Sequence, residues 1–179
     1  MRRLIESTYV TLDGVISSPA QWSRPYQDEQ YHQYAGDLLG DTDALLLGRQ
    51  AYEEIASPAT DLTALDKGYA SRLDGLPKHV VSRTLKHATW NGTLIAGDIA
   101  AEVAGLKKRP GQDILKLGTG EIDRVLLADK LVDEYFLWVF PVIAGRGSRL
   151  LDGADTAHLT LRGTTRLNSG VVLLTYAPT

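Results

Sequence analysis

The chain contains no cysteine, a single methionine and only two phenylalanines among its 179 residues. The absence of cysteine excludes disulfides, thiolate metal sites and cysteine nucleophiles. No apolar run approaches the roughly 18 residues that a membrane span requires. The net charge of −3 lacks the basic excess typical of a general nucleic-acid binder. We therefore expect a cytoplasmic protein that binds a small-molecule substrate, with no membrane and no nucleic acid as partner.

The composition is that of an ordinary globular protein, with 44% hydrophobic and 23% charged residues. The sequence has no repeat, no low-complexity stretch and no linker long enough to separate two domains, which predicts one domain over residues 1–179. Its four histidines are scattered without the spacing of metal ligands, so no metal site is expected.

Short apolar segments alternate with helical patterns along most of the chain. The sequence predicts strands at 4–12, 44–47, 78–82, 93–96 and 113–117, and helices at 28–39, 49–55, 62–73, 98–107 and 119–129. Asp61 and Asp98 are expected to cap the third and fourth of these helices, and the segment between the first strand and the first helix is expected to be irregular. Long strands at 132–143, 158–167 and 171–176 then follow, the last two joined by a hairpin at 168–170. This order predicts an α/β fold in which helices flank a mostly parallel twisted sheet with antiparallel C-terminal strands.

Three turns carry small or basic residues where an apolar strand gives way to a helix. They are Gly48-Arg49, Ser82-Arg83-Thr84 and Gly118-Thr119-Gly120. In open α/β sheets, ligands bind outside the carboxyl ends of the strands, where helix N-termini and free backbone N–H groups hold phosphates. The three turns together predict a site for a ligand with several phosphates, such as a dinucleotide.

Two of these turns carry an arginine, and each has an alternative interpretation. Gly48 permits close approach of a ligand and Arg49 attracts an anion, or they are a left-handed turn glycine and a solvated side chain. The hydroxyls and guanidinium of residues 82–84 suit the 2′-phosphate of NADP, or form a polar loop that ends the strand. No carboxylate is present there to favour NAD.

The third turn is an incomplete dinucleotide-binding motif. Its two glycines allow close approach to a pyrophosphate, but Asp123 occupies the place of the third glycine. The alternative is that Thr119 is a simple helix N-cap.

Asp28 lies on the apolar stripe of its helix, where it is a candidate proton-transfer acid or an acid favoured by the helix dipole. The loop 145–147 either covers a substrate or turns the chain.

Taken in order, several stretches resemble the dihydrofolate reductase superfamily, in the branch of the C-terminal reductase domain of bifunctional riboflavin-biosynthesis proteins. The stretches are 7–14, 47–53, 81–85, 117–120, 131–135 and 141–147. The resemblance implies a dihydrofolate reductase-like fold, NADPH as cofactor and a homodimer. It also implies hydride transfer to a small heterocyclic or ribosylaminopyrimidine-type substrate, as in a 5-amino-6-(5-phosphoribosylamino)uracil reductase or a dihydrofolate reductase.

The resemblance also assigns residues. Those that look like the family's cofactor cradle are Arg49, Ser82, Arg83, Gly118, Thr119, Gly120, Glu121 and Ile122. Ser7, Asp13 and Gly14 would lie near the nicotinamide. Ala51 stands where the family usually has threonine. Gln27 occupies the position of the family's catalytic acid, and an acid, Asp28, follows one residue later.

These observations favour an NADPH-dependent reductase. The alternative is a non-catalytic nucleotide-binding or regulatory protein that keeps the same cradle without turnover, and oxidation of NADPH by a substrate distinguishes the two.

Overall fold

The computed structural model of the chain describes residues 1–57 and 67–179. Within these residues, eight strands form one sheet. Numbered in chain order, they are β1 (Leu4–Thr11), β2 (Thr42–Gly48), β3 (Lys78–Val81), β4 (Gly92–Ile95), β5 (Asp113–Leu117), β6 (Glu134–Phe140), β7 (Leu159–Arg166) and β8 (Val172–Pro178). The helices are α1 (Pro19–Trp22), a 3₁₀ helix (Arg24–Tyr26), α2 (Glu29–Gly40), α3 (Arg49–Ala56), α4 (Lys67–Gly75), α5 (Ile99–Lys108) and α6 (Ile122–Ala128).

The strand order in the sheet is β4-β3-β2-β5-β1-β6-β8-β7. The first six strands in this order are all parallel to their neighbours. β8 pairs antiparallel with β6, and β7 pairs antiparallel with β8. The predicted fold, a mostly parallel sheet with antiparallel C-terminal strands, is confirmed. None of the described helices has the length and apolarity that crossing a bilayer would require.

Strand β2 shows how the core is divided between the two faces of the sheet. Leu45, Leu46 and Leu47 are all fully buried. Leu46 packs in the cluster formed with α5 and α6, whereas Leu45 and Leu47 pack in the cluster formed with α2, α3 and α4. Because helices cover both faces, the strand is a continuous apolar run rather than an alternating pattern.

The structure corrects several predicted boundaries. Helix α6 begins at Ile122 rather than at residue 119, because residues 118–121 form a turn. The segment before α2, predicted as irregular, contains α1 and the 3₁₀ helix. Of the helix predicted at 62–73, the part from Lys67 is described and continues to Gly75 as α4, whereas its expected cap, Asp61, lies outside the described residues.

The structure confirms two other local predictions. Asp98 is the N-cap of α5, where its side chain accepts a hydrogen bond from the backbone N–H of Ala101 at 3.1 Å. The hairpin between β7 and β8 turns at 168–170, where Leu167 donates to the carbonyl of Val171 at 2.8 Å. Gly170 has a φ of +91°, which explains why a glycine stands at this turn.

The leucine at the centre of β2 supplies a test of this core. Leu46→Ala removes a fully buried side chain and should lower the free energy of unfolding by about 2–5 kcal/mol. Leu12→Ala is the control, since Leu12 is 63% exposed and its truncation should change stability by less than about 0.5 kcal/mol. Urea denaturation followed by circular dichroism measures both, and equal costs for the two variants would contradict this assignment of the core.

Candidate functional site

The carboxyl ends of three neighbouring strands meet at one edge of the sheet. β3, β2 and β5 are consecutive and parallel, so the turns that follow them lie side by side in that order. β1 runs parallel beside β5, but it continues from Ser7, the partner of Leu117 at the end of β5, to Thr11 before it turns. The turn 48–49 contacts the turn 82–84, because Arg49 Nη1 donates to Thr84 Oγ1 at 2.5 Å. Gly118 N donates to the carbonyl of Ser7 at 3.3 Å, which joins the β5 turn to β1. The structure therefore brings the three predicted turns together.

The turn after β5 requires a glycine at position 118 for two reasons. Gly118 has a φ of +69°, in the left-handed region that strains other residues. A Cβ atom there would also lie 3.1 Å from the Cβ of Ala51 on α3, closer than ordinary packing allows. Alanine at position 51, where the resembled family has threonine, thus lies directly against this turn.

The side chains of the turn after β3 have distinct roles. Ser82 is buried, and its hydroxyl accepts from the backbone N–H groups of Thr84 at 3.2 Å and Leu85 at 2.9 Å. It therefore shapes the turn. Arg83 is exposed, and within the described chain its guanidinium has no hydrogen-bond or ion-pair partner. Arg49, in contrast, is engaged with Glu53 at 2.8 Å as well as with the β3 turn.

The first glycine turn has an ordinary backbone. Gly48 is the N-cap of α3 with a φ of −73°, so the alternative of a left-handed turn glycine is wrong. A Cβ atom at Gly48 would lie 3.4 Å from the Cγ2 of Ile122, the first residue of α6. The side chain of Ile122 is buried in the core, and that of Glu121 is exposed and does not cap the helix.

A buried charge cluster lies directly beneath the β5 turn, and the sequence analysis did not identify it. It consists of Glu6 on β1, Lys116 on β5 and Asp123 on α6, each at most 3% exposed. Lys116 pairs with Asp123, and its Nζ lies 3.8 Å from Glu6 Oε2. Lys116 also donates to the carbonyl of Gly118, and Asp123 Oδ2 accepts from Gly120 N at 2.6 Å.

The sequence did contain a signal for this cluster. Glu6 is the one charged residue of β1 and Lys116 is the one basic residue of β5, and the two are directly paired in the register of these strands. Burial raises the pKa of Glu6 to about 7; the charge of Asp123 adds to the increase, and Lys116 and a hydrogen bond from Thr8 oppose it. Asp123, at the place of the motif's third glycine, is thus a buried partner of Lys116.

The turn after β1 is bound to the loop that follows β6. The Asp13 carboxylate accepts from the Thr11 hydroxyl at 2.6 Å and from the backbone N–H groups of Ala144 at 3.0 Å and Gly145 at 2.7 Å. These hydrogen bonds, that from Thr11 foremost, lower the pKa of Asp13 to about 2. Arg149 donates to the carbonyl of Asp13, so Asp13 holds the two loops together.

Close packing extends along this pair of loops. Gly14 has a φ of +84°. A Cβ atom at Gly147 would lie 2.3 Å from Ser17 Oγ and 2.7 Å from a methyl group of Val15. These contacts favour the alternative in which the loop 145–147 turns the chain in a fixed position.

The remaining candidates lie on the face of the sheet that packs against α2. Ser7 is buried, and its hydroxyl accepts from the indole N–H of Trp138 at 3.0 Å. Asp28 is the N-cap of α2, where its Oδ1 accepts from Tyr31 N at 2.8 Å. This position at the start of the helix agrees with the alternative of an acid favoured by the helix dipole, whereas a role for Asp28 in proton transfer stays a prediction. Among the described residues, no cluster of three or more potential ligands is placed to hold a metal ion.

The two glycines of the β5 turn provide a matched pair for a stability test. Gly118→Ala forces an alanine into the left-handed region and against Ala51, which should cost roughly 1–3 kcal/mol in the free energy of unfolding. Gly120→Ala should change that free energy by less than about 0.5 kcal/mol, because nothing lies within 4 Å of the added Cβ. Urea denaturation measures both, and a Gly118→Ala variant as stable as Gly120→Ala would refute the strained turn.

Comparison with known proteins identifies one family along nearly the whole chain. The RibD C-terminal domain family matches residues 2–173. The Bacillus subtilis (strain 168) protein YyaP, itself uncharacterized, is 30% identical over 181 residues, which cover 98% of this chain and 94% of YyaP.

Solved structures share the fold at lower identity. A protein from Shewanella sp. PV-4 that is named as a riboflavin biosynthesis protein superposes on this chain with a TM-score of 0.80 at 19% identity, over 99% of both chains. A diaminohydroxyphosphoribosylaminopyrimidine deaminase/5-amino-6-(5-phosphoribosylamino)uracil reductase from Thermotoga maritima superposes with a TM-score of 0.70 at 14% identity, over 99% of this chain and 57% of that one. The chain therefore belongs to the RibD C-terminal domain family and has its reductase-like fold.

Proposed function

We propose that this protein is an NADPH-dependent reductase that transfers a hydride to a small heterocyclic or ribosylaminopyrimidine-type substrate. The observation that carries the proposal is the meeting of three turns suited to phosphates at one sheet edge, one of which presents the guanidinium of Arg83, a group without a partner among the described residues. Membership of the RibD C-terminal domain family supports reductase chemistry. The name of the Thermotoga maritima protein supports a ribosylaminopyrimidine as the class of substrate.

The residues at the edge fit the phosphates of a dinucleotide. The backbone N–H groups of Thr119 and Glu121 make no hydrogen bond within the described residues, and no described atom beyond its two chain neighbours lies within 4 Å of the place of a Cβ at Gly120, which leaves space there for a pyrophosphate. The N–H of Gly120 is engaged with Asp123. Arg83 would bind the 2′-phosphate, since a guanidinium can bind a phosphate through two parallel hydrogen bonds.

The protein's own part in the reaction is to bind, to orient and to supply a proton. NADPH, when bound, supplies the hydride. Ser7 lies beside the β5 turn, because its carbonyl accepts from the N–H of Gly118, and the nicotinamide is expected near Ser7, Asp13 and Gly14. Asp28 would donate the proton that accompanies the hydride. We also propose, from the family resemblance, that the protein is a cytoplasmic homodimer.

The proposal is tested by screening substrates while NADPH absorbance is recorded. The panel contains pterins, dihydrofolate and ribosylaminopyrimidines. Oxidation of NADPH that depends on one of these compounds supports the reductase. Tight NADPH binding without turnover of any of them would instead favour the non-catalytic nucleotide-binding alternative.

Arg83, which pairs with none of the residues that the structure describes, predicts which cofactor is preferred. Arg83→Ala should weaken NADPH binding by about tenfold to a hundredfold, because a charge-assisted hydrogen bond to phosphate contributes about 1.5–3 kcal/mol. NADH binding should be unchanged, since NADH lacks the 2′-phosphate. Arg166→Ala, at the exposed β7 edge, is the control for loss of one positive charge. Calorimetry measures the six affinities of the unmodified protein and the two variants for the two cofactors, and an equal loss for both cofactors in Arg83→Ala would rule out this role of Arg83.

The two helix-capping aspartates allow the role of Asp28 to be separated from capping. Asp28→Asn should lower turnover by about 10²–10⁴-fold, the usual contribution of general acid catalysis, with NADPH affinity retained. Asp98→Asn is the matched control, because Asp98 caps α5 through the same type of contact and asparagine caps about as well as aspartate. If steady-state turnover of Asp28→Asn stays within a few-fold of that of Asp98→Asn, Asp28 is a cap and nothing more.

A further inference from the structure

The buried charge cluster holds the β5 turn at both ends. Lys116 Nζ donates to the carbonyl of Gly118, the first residue of the turn. Asp123 Oδ2 accepts from the N–H of Gly120, the last residue. The conformation of the turn, and hence the direction of the Thr119 N–H between these contacts, therefore depends on how Lys116 and Asp123 are placed.

The cluster contains more negative than positive groups. Two carboxylates, those of Glu6 and Asp123, face a single ammonium group, so the cluster carries one net negative charge when all three are ionised. The groups that face Glu6 are Lys116 from β5, Asp123 from α6, Tyr135 from β6 and Thr8 from its own strand. A buried uncompensated charge is costly, and uptake of one proton removes it.

Glu6 is the carboxylate that can take up this proton. Asp123 is in direct contact with Lys116 and accepts the N–H of Gly120. Glu6 Oε2 lies 3.8 Å from Lys116 Nζ and accepts no hydrogen bond from any described residue. Among the described residues, the only hydrogen bond to its other oxygen, Oε1, is a long one from the Thr8 hydroxyl, at 3.4 Å.

We propose that Glu6 is a positioning residue whose protonation sets the geometry of the Gly118–Gly120 turn and thereby the affinity for the dinucleotide pyrophosphate, an inference that rests on the proposed function. Ionised Glu6 competes with the Gly118 carbonyl and Asp123 for the Lys116 ammonium. Protonated Glu6 leaves that ammonium to the two groups that hold the turn.

The direction of the effect follows from charge. A pyrophosphate bound above the turn adds negative charge near Glu6, which favours the protonated carboxyl group. Since the pKa of Glu6 is already raised to about 7, cofactor binding should take up protons near neutral pH. Affinity should then be highest below this pH and fall as the pH rises through it.

The first test compares NADPH affinity at two pH values by fluorescence titration. Between about pH 6.5 and about pH 8.5, affinity of the unmodified protein should fall by about threefold to tenfold, the result of a shift of about half to one pKa unit on binding. Glu6→Gln, which mimics the protonated acid, should keep the higher affinity at both pH values. Glu134→Gln on β6, which removes a carboxylate paired with Arg3 near the surface, should behave as the unmodified protein does.

Comparing the variants with the unmodified protein separates the titration of Glu6 from the titration of the cofactor itself. The 2′-phosphate of NADPH titrates near pH 6, as a phosphate monoester does, and affects all three proteins alike. The inference is wrong if Glu6→Gln shows the same pH dependence as the unmodified protein, or if the unmodified protein shows none.

A second test needs no cofactor and so separates this inference from the proposed function. In the free protein, the backbone ¹⁵N resonances of Gly118 and Gly120 should titrate with a midpoint near the pKa of Glu6, about 7. They should not titrate in this range in Glu6→Gln, whose dispersed spectrum also reports that it folds. Turn resonances that are independent of pH would overturn the inference, whereas failure of NADPH to bind with these titrations present would overturn only the proposed function.

Discussion

The ammonium group of Lys116, buried at the centre of the sheet, is the constraint around which this site is organised. A buried charge without a partner costs about 3–5 kcal/mol, so the fold must bring carboxylates to it. Glu6 reaches it only in the observed register of β1 and β5, and Asp123 reaches it only if α6 begins after the turn. The same contacts then fix Gly118 and Gly120. One buried cation thus couples strand register, the start of a helix and the shape of the Gly118–Gly120 turn.

The edge of the sheet is organised by contacts between turns more than by helix N-termini. Arg49, after β2, donates to Thr84, after the neighbouring strand β3. The Asp13 carboxylate joins the β1 turn to the N–H of Gly145, which lies more than a hundred residues later in the chain. Turns held in this way lose little further freedom when a ligand binds, which is the advantage of a preorganised site. The Arg83 guanidinium, with no partner in the described chain, is the group at this edge that remains available for a new anion.

How far the sequence predicted this structure depended on the range of each interaction. The apolar run Leu45–Leu47 and the cap Asp98 were predicted correctly, since both depend on residues within one strand or one helical turn. The pairing of Glu6 with Lys116 was missed because it can be recognised only once the strand register is known. The contacts of Asp13 likewise depend on a loop far along the chain. The family resemblance suggested where a cofactor site would lie, but it did not predict these contacts.

The alternation of side chains along β1 separates the two tasks of the site. Glu6 points to the face covered by α5 and α6, where it is closed off from any substrate, while Ser7 points to the face of α2. On that second side, burial raises the pKa of Tyr31, which makes its hydroxyl a poor proton donor. Asp13 is ionised down to a pH of about 2 and is occupied in joining two loops. Asp28 is then the acid that combines a place at the start of α2 with a carboxylate oxygen not engaged by its described neighbours. In our proposal, positioning of the cofactor and donation of the proton belong to carboxylates on opposite faces of the sheet, and each can be altered without direct contact with the other.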